Sequence, residues 1–394
     1  MAFVTPDFRM PDGQGELFDV LDAAVARGLD VRVVFWRPNP ETSRFEPRTF
    51  FGSAQHRAKL AARGSRFRTR WDRAQAGFCQ HQKSWLIDAG EAGEVAFVGG
   101  INLNPHSVVS APGHAGADQH HDAYLELAGP AASDVHANFV QRWNGASERD
   151  LADGAWGCDG DDDLAAPAQA STPRGTSRVQ VQRTLHAARY GAGERSIFDQ
   201  YRLAIGAARR TIYIENQALD VLEIVDDLSA ALDRGVEVVA VAPADPEPDF
   251  AAGQPERQAF LAARAALGRH DRFTVAGLAG LDAGGARRDV YVHAKLMIVD
   301  DAWATIGSGN LHSYSLFGST EMNASVWDAD FARALRCELF VEHLGLDTSE
   351  LDDRAAARLF RRIARENRRK REAGEAAWQG LAFELDAVAW RAEP

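Results

Sequence analysis

The stretch HQKSWLID at residues 81–88 decides the organisation of this chain, because it returns as HAKLMIVD at residues 293–300. Both copies have the spacing His-x-Lys-x4-Asp. Each is followed by a turn of small residues that ends in asparagine, GGIN at 99–102 and GSGN at 307–310. One such pattern has few fixed positions and recurs by chance, whereas two copies with the same sequel rarely do. We therefore predict a duplicated chain in which two halves build one active site.

The duplication extends beyond the two motifs. Residues 21–36 and 228–243 each read as the end of a helix, a glycine and a β-branched strand. Gly28 and Gly235 occupy the position at which a left-handed residue commonly ends a helix. Further short strands match in the two halves and alternate with helical stretches. This order predicts an α/β protein with two similar α/β/α sandwich lobes and mixed sheets.

Composition divides the chain into four segments. We predict a first lobe at 1–150, a linker at 151–177, a second lobe at 178–350 and a helical extension at 351–394. The linker is rich in Gly, Ala, Asp, Pro and Ser, and its Asp run at 159–163 lacks the ligand spacing of a calcium-binding loop.

The two halves do not begin in the same way. A predicted helix at 197–208 precedes the first strand of the second half, whereas the first half begins at its strand, residues 3–4. We expect the start to be truncated, in which case an N-terminal targeting segment would be missing as well.

The 394 residues are 45% hydrophobic and 25% charged, which is typical of a soluble globular protein. No apolar run approaches the roughly 20 residues of a membrane span, and no signal peptide is visible. We expect a soluble monomer, either cytoplasmic or exported without a visible signal. The net charge of −12 argues against nucleic acid as the partner, because phosphate contacts dominate that affinity. Three widely spaced cysteines predict neither a disulfide framework nor a zinc site.

Each motif carries groups suited to phosphate chemistry. Its His and Lys are two positions apart, so both side chains lie on one face of a strand. Imidazole acts as a nucleophile or as a general acid and base, and lysine binds phosphate oxygens. Two such sets, each with the amide of its asparagine, would surround one anionic centre without a metal ion. The candidate catalytic residues are His81, Lys83 and Asn102 in the first half and His293, Lys295 and Asn310 in the second.

A reacting imidazole also needs a carboxylate on its far ring nitrogen, which fixes the tautomer and stabilises the cation. Asp122 and Glu321 begin matching strands and are the predicted partners. Asp88 and Asp300 end their motifs. We interpret these two as structural, bonding either loop backbone or the motif lysine.

The doubled motif resembles that of the phospholipase D superfamily, in which His-x-Lys-x4-Asp precedes Gly-Ser/Gly-x-Asn. The resemblance covers nearly the whole chain. Phospholipases D proper are matched by IYIENQ at 212–217, by 129–131 together with 138–143, and by EHLG at 342–345. The resemblance implies a two-lobed fold with a pseudo-twofold active site between the lobes. It also implies a substrate-binding role for Glu215, Asn216 and Gln217.

The resemblance further implies a mechanism. One histidine attacks the phosphorus, the other protonates the leaving alcohol, and a phosphohistidine then passes to water or to another alcohol. Since the N-terminal motif usually supplies the nucleophile in this family, attack is assigned to His81 and proton transfer to His293. The chain departs from the pattern at Gly100, where serine is frequent and where the second half keeps Ser308. Its first loop, between Asp88 and the GGIN turn, is also the longer of the two.

These features predict a phospholipase D that hydrolyses phospholipids to phosphatidate and free alcohol, with transphosphatidylation as a second outcome. A cardiolipin-synthase-like phosphatidyltransferase and a nuclease of the same superfamily are the alternatives. The expected partner is a phospholipid membrane surface, and the basic run at 361–371 is either a solvated helix or a contact with that surface. No cofactor or metal is required, and a divalent ion would serve only to recruit lipid. The His/Asp cluster at 114–122 is read as a loop that ends in the acid partner Asp122.

Overall fold

The computed structural model describes residues 2–390 except 6, 11, 12, 14, 110–112, 117, 147–161 and 246–256. Residues 151–161 of the predicted linker, with Cys158 and the start of the Asp run, therefore lie outside the described residues. The remainder of the linker, 162–177, contains no helix or strand. It runs along the first half, where Asp162 binds Arg32 and Arg68.

Helices and strands alternate along most of the chain. The helices are α1 (Leu17–Ala26), α2 (Ala54–Arg63), α3 (Pro130–Asn144), α4 (Ala187–Tyr190), α5 (Ser196–Ala207), α6 (Leu222–Asp233), α7 (Arg257–Gly268), α8 (Ser313–Phe317), α9 (Ala329–Leu344) and α10 (Asp353–Glu372), with 3₁₀ segments at Pro40–Arg48 and Pro105–Ser107. The strands of the first half are β1 (Arg32–Trp36), β2 (Arg68–Asp72), β3 (Lys83–Ile87), β4 (Val95–Gly99), β5 (His120–His121) and β6 (Tyr124–Ala128). Those of the second half are β7 (Arg178–Leu185), β8 (Glu194–Arg195), β9 (Thr211–Glu215), β10 (Glu237–Val241), β11 (Phe273–Leu281), β12 (Arg287–Val292), β13 (Leu296–Val299), β14 (Trp303–Gly307), β15 (Glu321–Trp327) and β16 (Ala382–Glu384).

The second half is organised on one large mixed sheet. Its strand order is β5-β12-β11-β10-β9-β13-β14-β15-β7-β8, and β16 pairs with β11. The first half has a parallel pair, β1 with β2, and an antiparallel sheet in the order β3-β4-β6. The predicted α/β class is confirmed, and the large sheet is mixed as expected. The prediction of mixed sheets in two similar lobes is wrong for the first half, whose two smaller sheets are purely parallel and purely antiparallel.

The repeated helix–glycine–strand unit forms as the sequence predicts. Gly28 follows α1 and Gly235 follows α6, and both have φ of 90°. An L side chain is disfavoured at this angle, so glycine lets the chain turn from the helix into the next strand. In β10 every residue is buried, which suits the β-branched run of a central strand.

One hydrophobic core joins the two halves. Val98 and Leu125, from the sheet β3-β4-β6, lie in the same buried cluster as Ile298, Ile306 and Ala324 of the large sheet. A smaller core within the first half holds aromatic residues of α1 and β1. The halves are therefore packed together over an apolar face rather than joined by the linker alone.

Two short contacts between the halves place the motifs. Gln80 forms an isolated parallel bridge with Thr320, and β5 pairs in parallel with the end of β12. The backbone N–H of His81 donates to Thr320 O at 2.9 Å, and that of His293 donates to His121 O at 2.8 Å. Each motif histidine is thereby fixed beside the residue that precedes the acid of the other half.

Three predicted features differ in the structure. Residues 3–4 form no strand: Phe3 has φ of 52°, which interrupts an extended backbone, and Val4 O accepts a hydrogen bond from Phe50 N. The C-terminal segment is not only helical, because β16 returns after α10 and pairs antiparallel with β11. The helix predicted at 197–208 is present as α5 and precedes β9, but β7 and β8 come before it, so β9 is not the first strand of the second half.

Candidate active site

The two motif histidines pair with carboxylates from opposite halves. His81 Nδ1 lies 2.8 Å from Glu321 Oε1 and 3.0 Å from Oε2. His293 Nδ1 lies 2.5 Å from Asp122 Oδ2. Because Nδ1 of each ring is engaged, Nε2 is the nitrogen left for chemistry, and each carboxylate is placed to stabilise an imidazolium. The structure brings together the histidines and acids named from the sequence and shows that the pairing is crossed.

The two carboxylates have different neighbours. Glu321 accepts hydrogen bonds from Ser308 Oγ and Ser315 Oγ, each at 2.6 Å. Asp122 accepts a backbone bond from the next residue at 2.8 Å. Gly100, the counterpart of Ser308, lies so close that an added Cβ would be 2.4 Å from Asp122 Oδ1. The first half therefore has glycine here because the Asp122 carboxylate occupies the space of a side chain.

The motif lysines are buried beside the histidines. Lys83 Nζ donates to His81 O at 2.8 Å. Lys295 Nζ donates to His293 O and, at 2.8 Å, to Gln217 Oε1. Burial lowers the pKa of Lys83 to about 8, so its ammonium remains charged at neutral pH. A positive charge at this low-dielectric position attracts an anionic phosphate.

Asn102 and Asn310 complete the polar set. Each is more than nine-tenths buried and lines the same cavity as the two histidines. Within the described part of the chain, the Oδ1 atoms of both have no hydrogen-bond partner. A rotation of either amide presents Nδ2 instead, which can donate to a phosphate oxygen.

A cavity of about 920 Å³ opens over these groups, within the size range of small-molecule sites. The 3₁₀ segment Pro40–Arg48 contributes to one wall, with Arg44 and Arg48 exposed. The ring of Phe3 lies 5.9 Å from the ring of His81 and 5.7 Å from Lys83 Nζ. Other aromatic residues line the cavity from both halves: Phe45, Phe78, Tyr291 and Tyr314.

Burial and neighbouring charge set the protonation of the site. Burial lowers the pKa of His81, an effect opposed by Glu321. Burial, with the charges of Lys295 and Lys83, holds the pKa of His293 well below its usual value. Burial raises the pKa of Asp122 to about 6, against the pull of Lys295. The His293–Asp122 pair therefore takes up a proton slightly below neutral pH, and a bound anionic phosphate would increase its proton affinity.

The aspartates that end the motifs lie outside the cavity. The carboxylate of Asp300 accepts hydrogen bonds from the backbone N–H groups of Arg209, Arg210 and Thr211, at 2.7–2.8 Å. It thus bonds loop backbone at the start of β9. Asp88 is exposed, and among the described residues its carboxylate has no hydrogen-bond partner. Neither aspartate bonds a motif lysine in the described part of the chain.

The resemblance implies that Glu215, Asn216 and Gln217 bind substrate, but the three side chains do not all reach the cavity. Gln217 lines the cavity, as expected. Glu215 is fully buried outside it, hydrogen-bonded to His121 and His343. Asn216 is also buried and accepts hydrogen bonds from two backbone N–H groups. Substrate contact is therefore wrong for Glu215 and Asn216, because the end of β9 directs them into the protein interior rather than into the cavity.

Two groups of side chains have the composition of a metal site: His114 with His121 and Glu342, and His121 with Glu215 and His343. The N···O distances are 2.9 Å for His114–Glu342 and 2.6 Å for His121–Glu215, which are hydrogen-bond lengths. Ligand atoms around a tetrahedral zinc ion would be about 3.3 Å apart, given its bond lengths. The arrangement is that of a hydrogen-bonded ion network.

Sequence reasoning missed three residues of the site. Ser315 binds Glu321 from outside the repeated pattern, so no signal in the sequence identified it. Phe3 reaches the cavity from a segment read as a strand. In the sequence His121 stands out only as part of a His/Asp cluster. Its position directly before Asp122 was the signal that could have linked it to the site.

The basic run at 361–371 lies on α10, and much of its charge is paired. The pairs are Arg361 with Glu237, Arg365 with Glu384 and Arg371 with Asp289. This pairing favours the reading of a surface helix over that of a lipid contact. Among the described residues, no helix combines the length and apolar character needed to cross a membrane.

Comparison with known proteins gives three kinds of match. The family model described as "Cardiolipin synthase, PLD-like domain" matches residues 201–341. The chain is 42% identical over 83 residues to phospholipase D zeta 2 of Arabidopsis thaliana, covering 17% of this chain and 8% of that protein. It is 23% identical over 286 residues to cardiolipin synthase 1 of Staphylococcus epidermidis, covering 70% of this chain and 49% of that protein. The structure of NucT from Helicobacter pylori matches with 16% identity and a TM-score of 0.31, over 40% of this chain and 92% of that one.

The paired imidazoles and the asparagines of one cavity, with the two lysines buried beside them, are suited to phosphoryl transfer through histidine. The chain is similar to proteins of the phospholipase D superfamily, through a PLD-like domain at residues 201–341 and a cardiolipin synthase match over 70% of its length. It spans about half the length of the cardiolipin synthase that it matches and under a tenth of the plant enzyme.

Proposed function

We propose that this protein is a phospholipase D, which cleaves the distal phosphodiester bond of glycerophospholipids to give phosphatidate and a free alcohol. The observation that carries the proposal is the crossed pair of oriented imidazoles, His81 with Glu321 and His293 with Asp122, in one cavity. The similarity to phospholipase D zeta 2 supports the substrate class.

In the first step, His81 Nε2 attacks the phosphorus and an N–P bond forms. The bond from phosphorus to the oxygen of the headgroup alcohol breaks, and His293 Nε2 gives that oxygen a proton. Lys83, Lys295 and the two asparagine amides stabilise the charge on the phosphoryl oxygens. Glu321 stabilises the positive charge that develops on His81.

In the second step, His293 is the base. It takes a proton from water, the resulting hydroxide attacks the phosphorus, and the N–P bond to His81 breaks. The products are phosphatidate and the resting enzyme. A primary alcohol that replaces water gives the transphosphatidylation product by the same route.

The test is mass spectrometry of the products formed by purified protein on vesicles of phosphatidylcholine and phosphatidylglycerol, with and without a primary alcohol. We expect phosphatidate without the alcohol and the phosphatidyl ester of the alcohol with it. His81→Ala should abolish both products, and Asp88→Ala, outside the cavity, should retain them. No lipid product from the wild-type protein would sink the proposal, and full activity in His81→Ala would sink the mechanism.

A cardiolipin-synthase-like transferase is the second candidate, and the extent of the matches favours it. The cardiolipin synthase match covers 70% of the chain, against 17% for the plant phospholipase D. The exposed Arg44 and Arg48 at the cavity wall would favour a second anionic headgroup. Vesicles of phosphatidylglycerol alone separate the two candidates. Cardiolipin with glycerol indicates the transferase, and phosphatidate with glycerol indicates the hydrolase.

We also propose peripheral contact with a phospholipid surface at the mouth of this cavity, where Arg44 and Arg48 would face anionic headgroups. The net charge of −12 argues against the nuclease alternative. Sedimentation with anionic and neutral vesicles tests the contact, and plasmid cleavage tests the nuclease. Equal sedimentation of Arg44→Ala/Arg48→Ala and wild-type protein would contradict the assigned contact.

A further inference from the structure

We propose that His121, held as a cation by Glu215, is a positioning residue that keeps Asp122 ionised, so that Asp122 can stabilise the His293 imidazolium that forms when an anionic phosphate binds. The inference rests on the proposed function, since it names how the acid of that reaction is prepared. It assigns a role to a buried network that lies behind the cavity rather than in it.

The network is built from side chains of three parts of the chain. His121 Nε2 lies 2.6 Å from Glu215 Oε2, and His343 Nε2 lies 2.9 Å from Glu215 Oε1. The hydroxyl of Tyr213 donates to Glu215 Oε1 at 2.6 Å. Glu215 and His343 are fully buried, and His121 is nearly so. A buried carboxylate is stable only with such partners, and its charge favours protonated imidazole on the neighbours that it bonds.

Two further groups face His121 from the outer side. Its Nδ1 lies 3.7 Å from Glu342 Oε1, and Glu342 is also bonded to His114 at 2.9 Å. Thus two carboxylates, Glu215 and Glu342, approach His121 on its two ring nitrogens. The pKa of His121 is accordingly raised well above its usual value by these carboxylates, in spite of burial.

The network reaches the reacting pair through the backbone of His121. His121 O accepts hydrogen bonds from the N–H groups of His293, at 2.8 Å, and Ala294, at 2.9 Å. Asp122 follows His121 directly in the chain. One residue therefore fixes both members of the pair, and its side-chain charge lies next to Asp122. Positive charges facing Asp122 are those of Lys295, Lys83 and His121, and each lowers its pKa.

The first pair is supported in another way. Glu321 is bonded by the uncharged hydroxyls of Ser308 and Ser315. A cationic His121 next to only one of the two carboxylates gives the two histidines unlike proton affinities. That difference suits one histidine that attacks while neutral and another that donates a proton.

The test compares three variants in the full chain. His121→Gln removes the cation but leaves the backbone bond to His293. Glu215→Gln removes the anion that holds the cation. Tyr213→Phe removes one neutral hydrogen bond from the same carboxylate and is the matched control. We expect the acidic limb of kcat/KM to move to higher pH in the first two variants, by about one unit or more, because Asp122 then protonates more readily.

The same two variants should lower kcat at neutral pH about twofold or more, with little change in KM, because a shift of about one unit leaves Asp122 about half ionised at pH 7. Tyr213→Phe should leave the acidic limb of kcat/KM at its wild-type pH. The double variant His121→Gln/Glu215→Gln removes both charges together, so it guards against misfolding caused by a lone buried anion. NMR titration of the His293 ring follows the protonation of the pair without turnover, so it still applies if the wild-type protein proves inactive on lipids.

Unchanged pH limbs and an unchanged His293 titration in folded variants would overturn the proposal. A stoichiometric divalent metal in the wild-type protein that is lost in Glu215→Gln would overturn it as well, because the cluster would then be a metal site rather than an ion network.

Discussion

The two histidine–carboxylate pairs occupy equivalent places in the repeat, but their surroundings differ. Glu321 is bonded by two serine hydroxyls, whereas Asp122 sits against a glycine and next to the His121–Glu215 network. A duplicated chain supplies two reacting groups at once. The differences acquired around them can then give the copies separate tasks, attack by His81 and proton transfer by His293.

The largest effect should come from the carboxylates. Asp122→Asn and Glu321→Gln each leave a side chain of nearly the same shape but remove the charge that stabilises the imidazolium. We expect kcat to fall by about 10³–10⁴-fold in each, as for the aspartate of a hydrolase triad. Steady-state kinetics on a soluble phosphodiester lipid measures the loss. Activity within tenfold of wild type in either variant would mean that its pair does not take part in the reaction.

A smaller effect should come from exchanging the residues that distinguish the two turns. Gly100→Ser places a side chain against Asp122 Oδ1 and displaces the carboxylate, so we expect a loss of about 100-fold in kcat. Ser308→Gly removes one hydrogen bond to Glu321, and the loss should be about tenfold.

Thermal melting of both turn variants is the control for folding. If Gly100→Ser were as active as wild type, the glycine would have no role in holding Asp122.

The sequence predicts much of the site because the repeat aligns it. Asp122 and Glu321 could be named since both begin matching strands after matching motifs. The crossed pairing could not be predicted, because it depends on the bridge between Gln80 and Thr320, which are distant in the chain. The role of Glu215 was misjudged for a similar reason: the direction of a side chain at a strand end depends on α9, which packs there from elsewhere in the sequence.

The fold, like the site, could be predicted from the sequence only where local requirements determine the structure. Glycine positions identified both helix ends correctly, since a φ of 90° is a local requirement. The strand expected at residues 3–4 is absent, because its pairing partners are set by the tertiary structure. Phe3 instead enters the cavity beside His81.

A pH effect of intermediate size should report the buried lysine of the first motif. The pKa of Lys83 is lowered by burial to about 8, so its charge is present below that pH and lost above it. We expect kcat/KM to decline up to tenfold per pH unit above about 8 as the phosphate loses this partner. Lys83→Arg keeps the charge, and its profile should stay flat to higher pH. If kcat/KM of a folded Lys83→Arg variant declines at the same pH as that of the wild-type protein, the decline is caused by another group.

The smallest effect on catalysis should come from the aspartates that end the motifs. Asp300→Ala removes the acceptor for three backbone N–H groups, so the free energy of unfolding should fall by about 1–3 kcal/mol. Asp88→Ala is the matched control and should change it by less than about 0.5 kcal/mol. Both variants should keep kcat within twofold. Denaturant unfolding and kinetics test this, and a large loss of kcat in folded Asp300→Ala would give that residue a catalytic role.

The central claim is the division of labour between His81 and His293, and a substrate with p-nitrophenol as the leaving group tests it most directly. Because p-nitrophenolate leaves without a proton, His293→Ala should still form the phosphohistidine but release it slowly. We predict a burst of one p-nitrophenol per protein molecule in His293→Ala, with the phosphatidyl group found on His81 by mass spectrometry, and no burst in His81→Ala. A burst in His81→Ala with the group on His293 would contradict the account.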